Sequence, residues 1–159
     1  MITNQHRAFL GRVAGSQGAV SVIAQMQRAK GRLVEVPRLR YAPTAAQAAA
    51  YFDDGDLFVI VDGRRWGIEV KHRFDINFTG LRDWPFEDMI LSNVTAANRH
   101  RNVMAYATLS GDLRYAGIVR GDTRQHWHTV QTWCKNTHNV ERFYATPLEY
   151  VTFERTIMP

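Results

Sequence analysis

The chain has one cysteine, Cys134, in 159 residues. An internal disulfide framework is therefore excluded, and a reducing compartment is the expectation. No apolar run approaches the roughly 20 residues that cross a bilayer as a helix. The opening "MITNQHRAFLGRVAGSQGAV" lacks an apolar stretch of about 7–15 residues of the kind a secretion signal needs. The expectation is a cytoplasmic protein without a membrane partner. Lysine is scarce too: only Lys30, Lys71 and Lys135 occur among 20 basic residues, so the excess is arginine. There is no low-complexity tract, internal repeat or charge block, so residues 1–159 are read as a single domain.

What is present fits a globular chain: 45% hydrophobic and 22% charged residues, with a net charge of +5 and a pI near 9.7. Arginine's planar fork suits phosphate, and a basic surface draws polyanions. Basicity alone selects no function, since many basic domains never touch nucleic acid.

Along the chain, "GSQGAVSVIAQMQRAKG" reads as a helix with Val20, Ile23, Ala24 and Met26 apolar and a stop at Gly31. "RLVEVPRLRYA" reads as a strand in which Pro37 marks an edge or bend. "TAAQAAAYFDD" reads as a connector with a short helix capped by Thr44. In residues 84–97, Phe86, Met89, Ile90, Val94 and Ala97 match a helical period, with Asp83 as N-cap and Pro85 in the first turn. That favours a helix, although "MILSNV" also reads as a strand. "VMAYATLSGDLRYAGIVR" reads as a hairpin turned at Ser110-Gly111-Asp112, and "RFYATPLEYVTFERTI" as one further strand. The sum is an α/β domain with a mixed sheet.

The informative stretch is "GDLFVIVDGRRWGIEVK", residues 55–71. Asp62-Gly63 favours a two-residue type I′ turn. With that turn, Val61 faces Arg64, Val59 faces Trp66 and Leu57 faces Ile68. One step further, Asp56 lies opposite Glu69, and Lys71 shares the face of Glu69. Cβ atoms across such a pair are about 4.5–5.5 Å apart, and like charges there repel. A hard divalent cation relieves the repulsion, prefers carboxylate oxygens and keeps waters that a phosphate can replace. Lys71 is then placed to orient or deprotonate a water, or to stabilise phosphate charge. The alternative from the same residues is a surface ion network of little consequence.

Asp56 in "GDLFVI" with Glu69 and Lys71 in "IEVK" resembles the PD-(D/E)xK nuclease superfamily. This is the restriction-endonuclease-like fold that includes Holliday-junction resolvases. The order of helix, strand, hairpin, helix and strand over residues 16–100 resembles it too. The resemblance implies a restriction-endonuclease-like mixed sheet flanked by helices and Mg²⁺-dependent hydrolysis of DNA phosphodiester bonds, with Mn²⁺ as a substitute ion. It implies Asp56, Glu69 and the Val70 carbonyl as metal ligands, and Lys71 as the catalytic lysine. The first acid here follows Gly55 where many members have proline. No acid occurs between residues 13 and 34, where resolvase relatives carry a helix glutamate. Gln17 is the nearest polar residue there, and Asp53 and Asp54 are candidate substitutes.

Arg73 shares the parity of Lys71, and with His72, Arg99 and Arg101 is a candidate contact for the DNA backbone. His126, His128, Cys134 and His138 match no standard zinc spacing and read as polar residues near a core edge. Trp84 and Trp127 read as core residues or as stacking partners for an unpaired base. One domain offers one site, so cutting two strands implies a homodimer. The rival readings are a catalytically inactive nuclease-fold protein that binds nucleic acid or a protein partner, and a generic α/β interaction domain.

Overall fold

The computed structural model describes residues 4–38, 55–134 and 137–158, with side chains described from residue 15 onwards. Its first element, α1 (Asn4–Ala29), begins well before the stretch whose periodicity announces it. It ends in a Schellman turn. Arg32 N–H donates to Gln27 O and Gly31 N–H to Arg28 O, with Gly31 at φ +78. Ala19, Val22, Ile23, Ala24 and Met26 are its buried face.

Six strands form one sheet in the order β1-β2-β3-β5-β6-β9. They are β1 (Leu33–Glu35), β2 (Leu57–Val61), β3 (Arg64–Arg73), β5 (Val103–Ser110), β6 (Tyr115–Arg120) and β9 (Val151–Arg155). Every neighbouring pair is antiparallel except β3 and β5, which are parallel. A parallel pair needs a crossover. Here the crossover carries β4 (Asp88–Asn93) and the short α2 (Val94–Arg99). A second sheet, β4-β8-β7, adds β7 (His128–Cys134) and β8 (Asn139–Pro147).

Side-chain alternation gives the large sheet two faces. Leu57, Val59, Ile68, Ala107, Leu109 and Ala116 pack against α1 in one core. Burying each of the larger aliphatics contributes about 1.5–3 kcal/mol. On the opposite face Tyr106 and Val119 meet Met89 and Leu91 of β4, with Phe78 and Trp84, in a second core. The second sheet therefore lies over the face of β3 that carries Glu69 and Lys71.

The β2–β3 hairpin has the register that the turn chemistry predicts: Val61↔Arg64, Val59↔Trp66 and Leu57↔Ile68. Asp62 and Gly63 have φ +51 and +73, as a type I′ turn requires. The β5–β6 hairpin also follows expectation.

Three expectations are corrected. Residues 84–97 are not one helix: 88–93 form β4, and the helix begins only at Val94. Asp83 caps no helix, because its carboxylate takes the Thr79 and Gly80 N–H groups (2.8–2.9 Å); Asn93 is the N-cap instead. The register of β4 on β8 stabilises an extended chain that periodicity alone did not favour. The C-terminal stretch is two strands in different sheets, separated by a 3-10 turn at Leu148–Tyr150. The strand after Gly31 forms at the sheet edge, as the expected strand with Pro37 at an edge or bend has it, with Leu33–Glu35 as its paired residues. The connector at residues 44–54, with Asp53 and Asp54, lies outside the described residues.

Candidate functional site

Asp56 stands one residue before β2, and the hairpin register extended by one step puts it across from Glu69. Its carboxylate Oδ2 accepts the Val70 N–H at 2.6 Å. In a strand the N–H and C=O of one residue point to the same neighbour. The Val70 carbonyl therefore also faces the Asp56 side.

The residue before Asp56 is glycine for a backbone reason. Its φ is +129, far from the −65° to which a proline ring is locked. A Cβ at that position would lie 3.4 Å from Glu69 Oε1 and 3.2 Å from Phe58 Cζ. The chain entering β2 thus passes close to the Glu69 carboxylate, and the positive φ, with the Phe58 ring close by, is what favours glycine there. Two acids and one backbone carbonyl converge on this corner of the sheet.

Lys71 lies two residues beyond Glu69 on the same face, half-buried beneath the second sheet. Its Nζ is 5.7 Å from the centre of the Phe143 ring of β8. Burial, and then the Arg73 guanidinium, lower its pKa from 10.5 to about 8; Cys134, Asp56 and Glu69 act in the opposite direction. An ammonium held this way sits close to its point of proton exchange at neutral pH.

β5 completes the site. In the parallel register Tyr106 sits beside Glu69, Thr108 beside Lys71 and Ser110 beside Arg73. Tyr106 is buried, and desolvation followed by the Glu69 charge pushes its phenol up to about 12, so it stays neutral. Ser92 and Asn93 of β4 form the wall opposite, enclosing a cleft of about 180 Å³ with Glu69, Lys71, Tyr106 and Thr108. Asn93 is fixed from two directions. It donates to Glu141 Oε2 at 2.6 Å and accepts the Thr95 N–H at 2.8 Å.

The remaining sequence candidates are dispersed. Arg73 shares the Lys71 face as its parity predicts, 3.8 Å from Asp75 and with its guanidinium 5.4 Å from the Phe86 ring centre. His72 turns to the other face, beneath α1. One ring nitrogen lies 3.1 Å from Gly111 O, and Nδ1 is buried with no hydrogen-bond partner among the described residues. A Cβ on Gly15 would meet that Nδ1 at 2.8 Å, so the glycine is what lets the helix settle there. Arg99 ends α2 and Arg101 follows it, both exposed. Trp84 is buried in the second core and Trp127 is half-buried. His126 stacks on Tyr150 while His128 bonds Asp88, so they point to separate partners.

Among the described residues, no three His, Cys, Asp or Glu side chains form a metal-holding group. The donors at the hairpin corner are two carboxylates and the Val70 carbonyl. That all-oxygen, incomplete set suits a hard cation which retains water ligands. Tyr106, Thr108, Asn93 and Phe143 were not singled out by sequence reasoning. The alternation Tyr106, Thr108, Ser110 within an apolar strand was the one available signal.

Comparisons with protein-family models, with curated proteins and with solved structures return no match. Among the described residues no helix is long and apolar enough to cross a membrane.

Proposed function

We propose that the chain is a Mg²⁺-dependent endonuclease that hydrolyses DNA phosphodiester bonds, working in the cytoplasm as a homodimer. The observation that carries this reading is the corner where Asp56 is tied to Val70 N–H beside Glu69, with a desolvated Lys71 on the Glu69 face. The element order supports it as well. Helix, strand, hairpin, helix and strand, the order of the restriction-endonuclease-like fold, matches α1, β1, β2–β3, α2 and β5, with β4 inserted before α2.

Asp56, Glu69 and the Val70 carbonyl would hold the ion, which supplies Lewis acidity and positive charge toward a phosphoryl oxygen. The Val70 N–H fixes the rotamer of Asp56, so its oxygens are pre-aimed. Lys71 accepts a proton at Nζ from the attacking water, a role for which a pKa near working pH is best matched. Thr108, beside it in the register, and the neutral Tyr106 phenol line the same cleft and orient rather than exchange protons. Arg73 faces the phosphates that flank the scissile bond.

The test is nicking of supercoiled plasmid and of single-stranded circular DNA, with and without Mg²⁺, by wild type, Glu69→Ala and Lys71→Ala. Nicking that needs the ion and disappears in both variants supports the proposal. DNA binding without cleavage in any divalent ion would replace it with the inactive nuclease-fold binder.

A further inference from the structure

We infer that the DNA segment received by this site is unpaired: the two sheets and their flanking aromatic residues form a track for single-stranded DNA. The identity of the cut bond rests on the nuclease reading above, whereas the track rests on separate observations.

The first is the covering of the site. Glu69 and Lys71 do not lie on an open face. β4 and β8 cover them, with the Phe143 ring 5.7 Å from Lys71 Nζ and Asn93 across the cleft. The cleft between the sheets, about 180 Å³ and open to solvent on one side, admits a phosphate with the backbone on either side of it. A duplex brings its second strand alongside that backbone, where β4 and β8 stand. An unpaired strand, with free backbone torsions and separated bases, does not.

The second is what flanks the cleft. Two residues beyond Lys71 along β3, Arg73 lies over Phe86, an aromatic residue 47% exposed. Elsewhere Arg124 lies 5.0 Å from the Tyr144 ring centre and 5.8 Å from that of Trp127. Trp127 in turn packs edge-on against Tyr106, which borders the cleft, at 5.2 Å. From Glu69 to Arg73 is four strand steps, about 13 Å. A guanidinium laid on an aromatic ring offers charge to a phosphate and a π-face to a base, the pairing that single-strand binders use. The Arg124 platform is already ordered, since Arg124 bonds Asn98 and the Tyr144 hydroxyl donates to Asn98 at 3.1 Å. Little side-chain freedom is lost when a strand arrives. Ring stacking tolerates any base, so the track implies weak sequence preference.

The test is fluorescence anisotropy with a short mixed-sequence DNA, single-stranded or as a blunt duplex, in Ca²⁺, followed by cleavage of both in Mg²⁺. Wild type should bind the single strand about tenfold or more tighter than the duplex. Phe86→Leu, which keeps apolar bulk but removes the ring, and Arg124→Gln should each lose about fivefold or more on the single strand, with melting temperatures near wild type. Equal or tighter duplex binding, or wild-type affinity in both variants, would overturn the inference. Single-strand preference with no cleavage of either DNA leaves the track standing and removes the nuclease reading. Cleavage inside the duplex without single-strand preference does the reverse.

Discussion

The Val70 N–H donates to Asp56 Oδ2 across 2.6 Å, bridging the residue that precedes β2 to the centre of β3. This bond occupies the place that the next ladder bond of the hairpin would take. A side chain thus continues the pairing after the strand has ended, and the carboxylate is drawn to the corner where Glu69 and the Val70 carbonyl already lie. One hydrogen bond fixes the relation between the three groups proposed to hold a cation.

Neutralising one acid should therefore separate binding from folding. Glu69→Gln removes a like-charge neighbour of Asp56, and cross-strand pairs of this kind are worth about 0.2–1 kcal/mol. The metal-free variant should melt about 1–3 °C higher than wild type. Saturating Mg²⁺ should raise the wild-type melting temperature and leave the variant unchanged. Thermal scans in EDTA and in Mg²⁺ measure both.

The lowered pKa of Lys71 predicts two pH dependences. Activity should rise with pH, reach half its maximum near pH 8 and level off above that, as Nζ loses its proton. Lys71→Arg should abolish activity, because arginine cannot give up its proton there. Stability follows by linkage. The folded value of about 8 lies below the ordinary 10.5, so between them the unfolded chain binds more protons and stability rises with pH. Compared with Lys71→Met, wild type should gain stability across pH 8–10.5. A flat difference between the two denaturation series would contradict the assignment.

How much of this was legible in the sequence depends on the distance over which each feature is decided. The β2–β3 register follows from Asp62-Gly63, two residues in the middle of the hairpin, so Asp56, Glu69 and Lys71 could be aligned without a structure. The parity of Arg73 was equally local. Residues 84–97 went the other way, because Phe86, Met89 and Ile90 satisfy a helical period as well as a strand. The choice was made by pairing with β8, some fifty residues later. The same long-range pairing brings Phe143 over Lys71 and Asn93 to the cleft, so the roof of the site had no local signature. The need for glycine at Gly55 had no local signature either; its φ of +129 supplied the reason.

Gly55→Ala tests that reason. The substitution places a side chain at φ +129 and within 3.4 Å of Glu69 Oε1. It should cost about 1–3 kcal/mol, or roughly 2–12 °C in melting temperature. Gly55→Pro should cost more, since the ring cannot adopt this φ at all. Wild-type melting of Gly55→Pro would show that proline fits this backbone after all.

Asn93→Ala should loosen the roof. It removes the N-cap of α2 and the bond to Glu141, together about 2 kcal/mol. The expected fall in melting temperature is about 4–8 °C. Amides of β4 should exchange faster with solvent, while those of β2 and β3 keep their protection, which hydrogen-exchange mass spectrometry can separate.

The cation site itself is tested most directly by counting Mn²⁺ bound at equilibrium, by electron paramagnetic resonance, in wild type, Asp56→Asn and Glu69→Gln. The expected result is saturable binding to wild type, displaced by Mg²⁺ and lost or weakened at least about tenfold in both variants while the fold persists. Wild type that binds no ion, or variants that bind it equally well, would contradict the account.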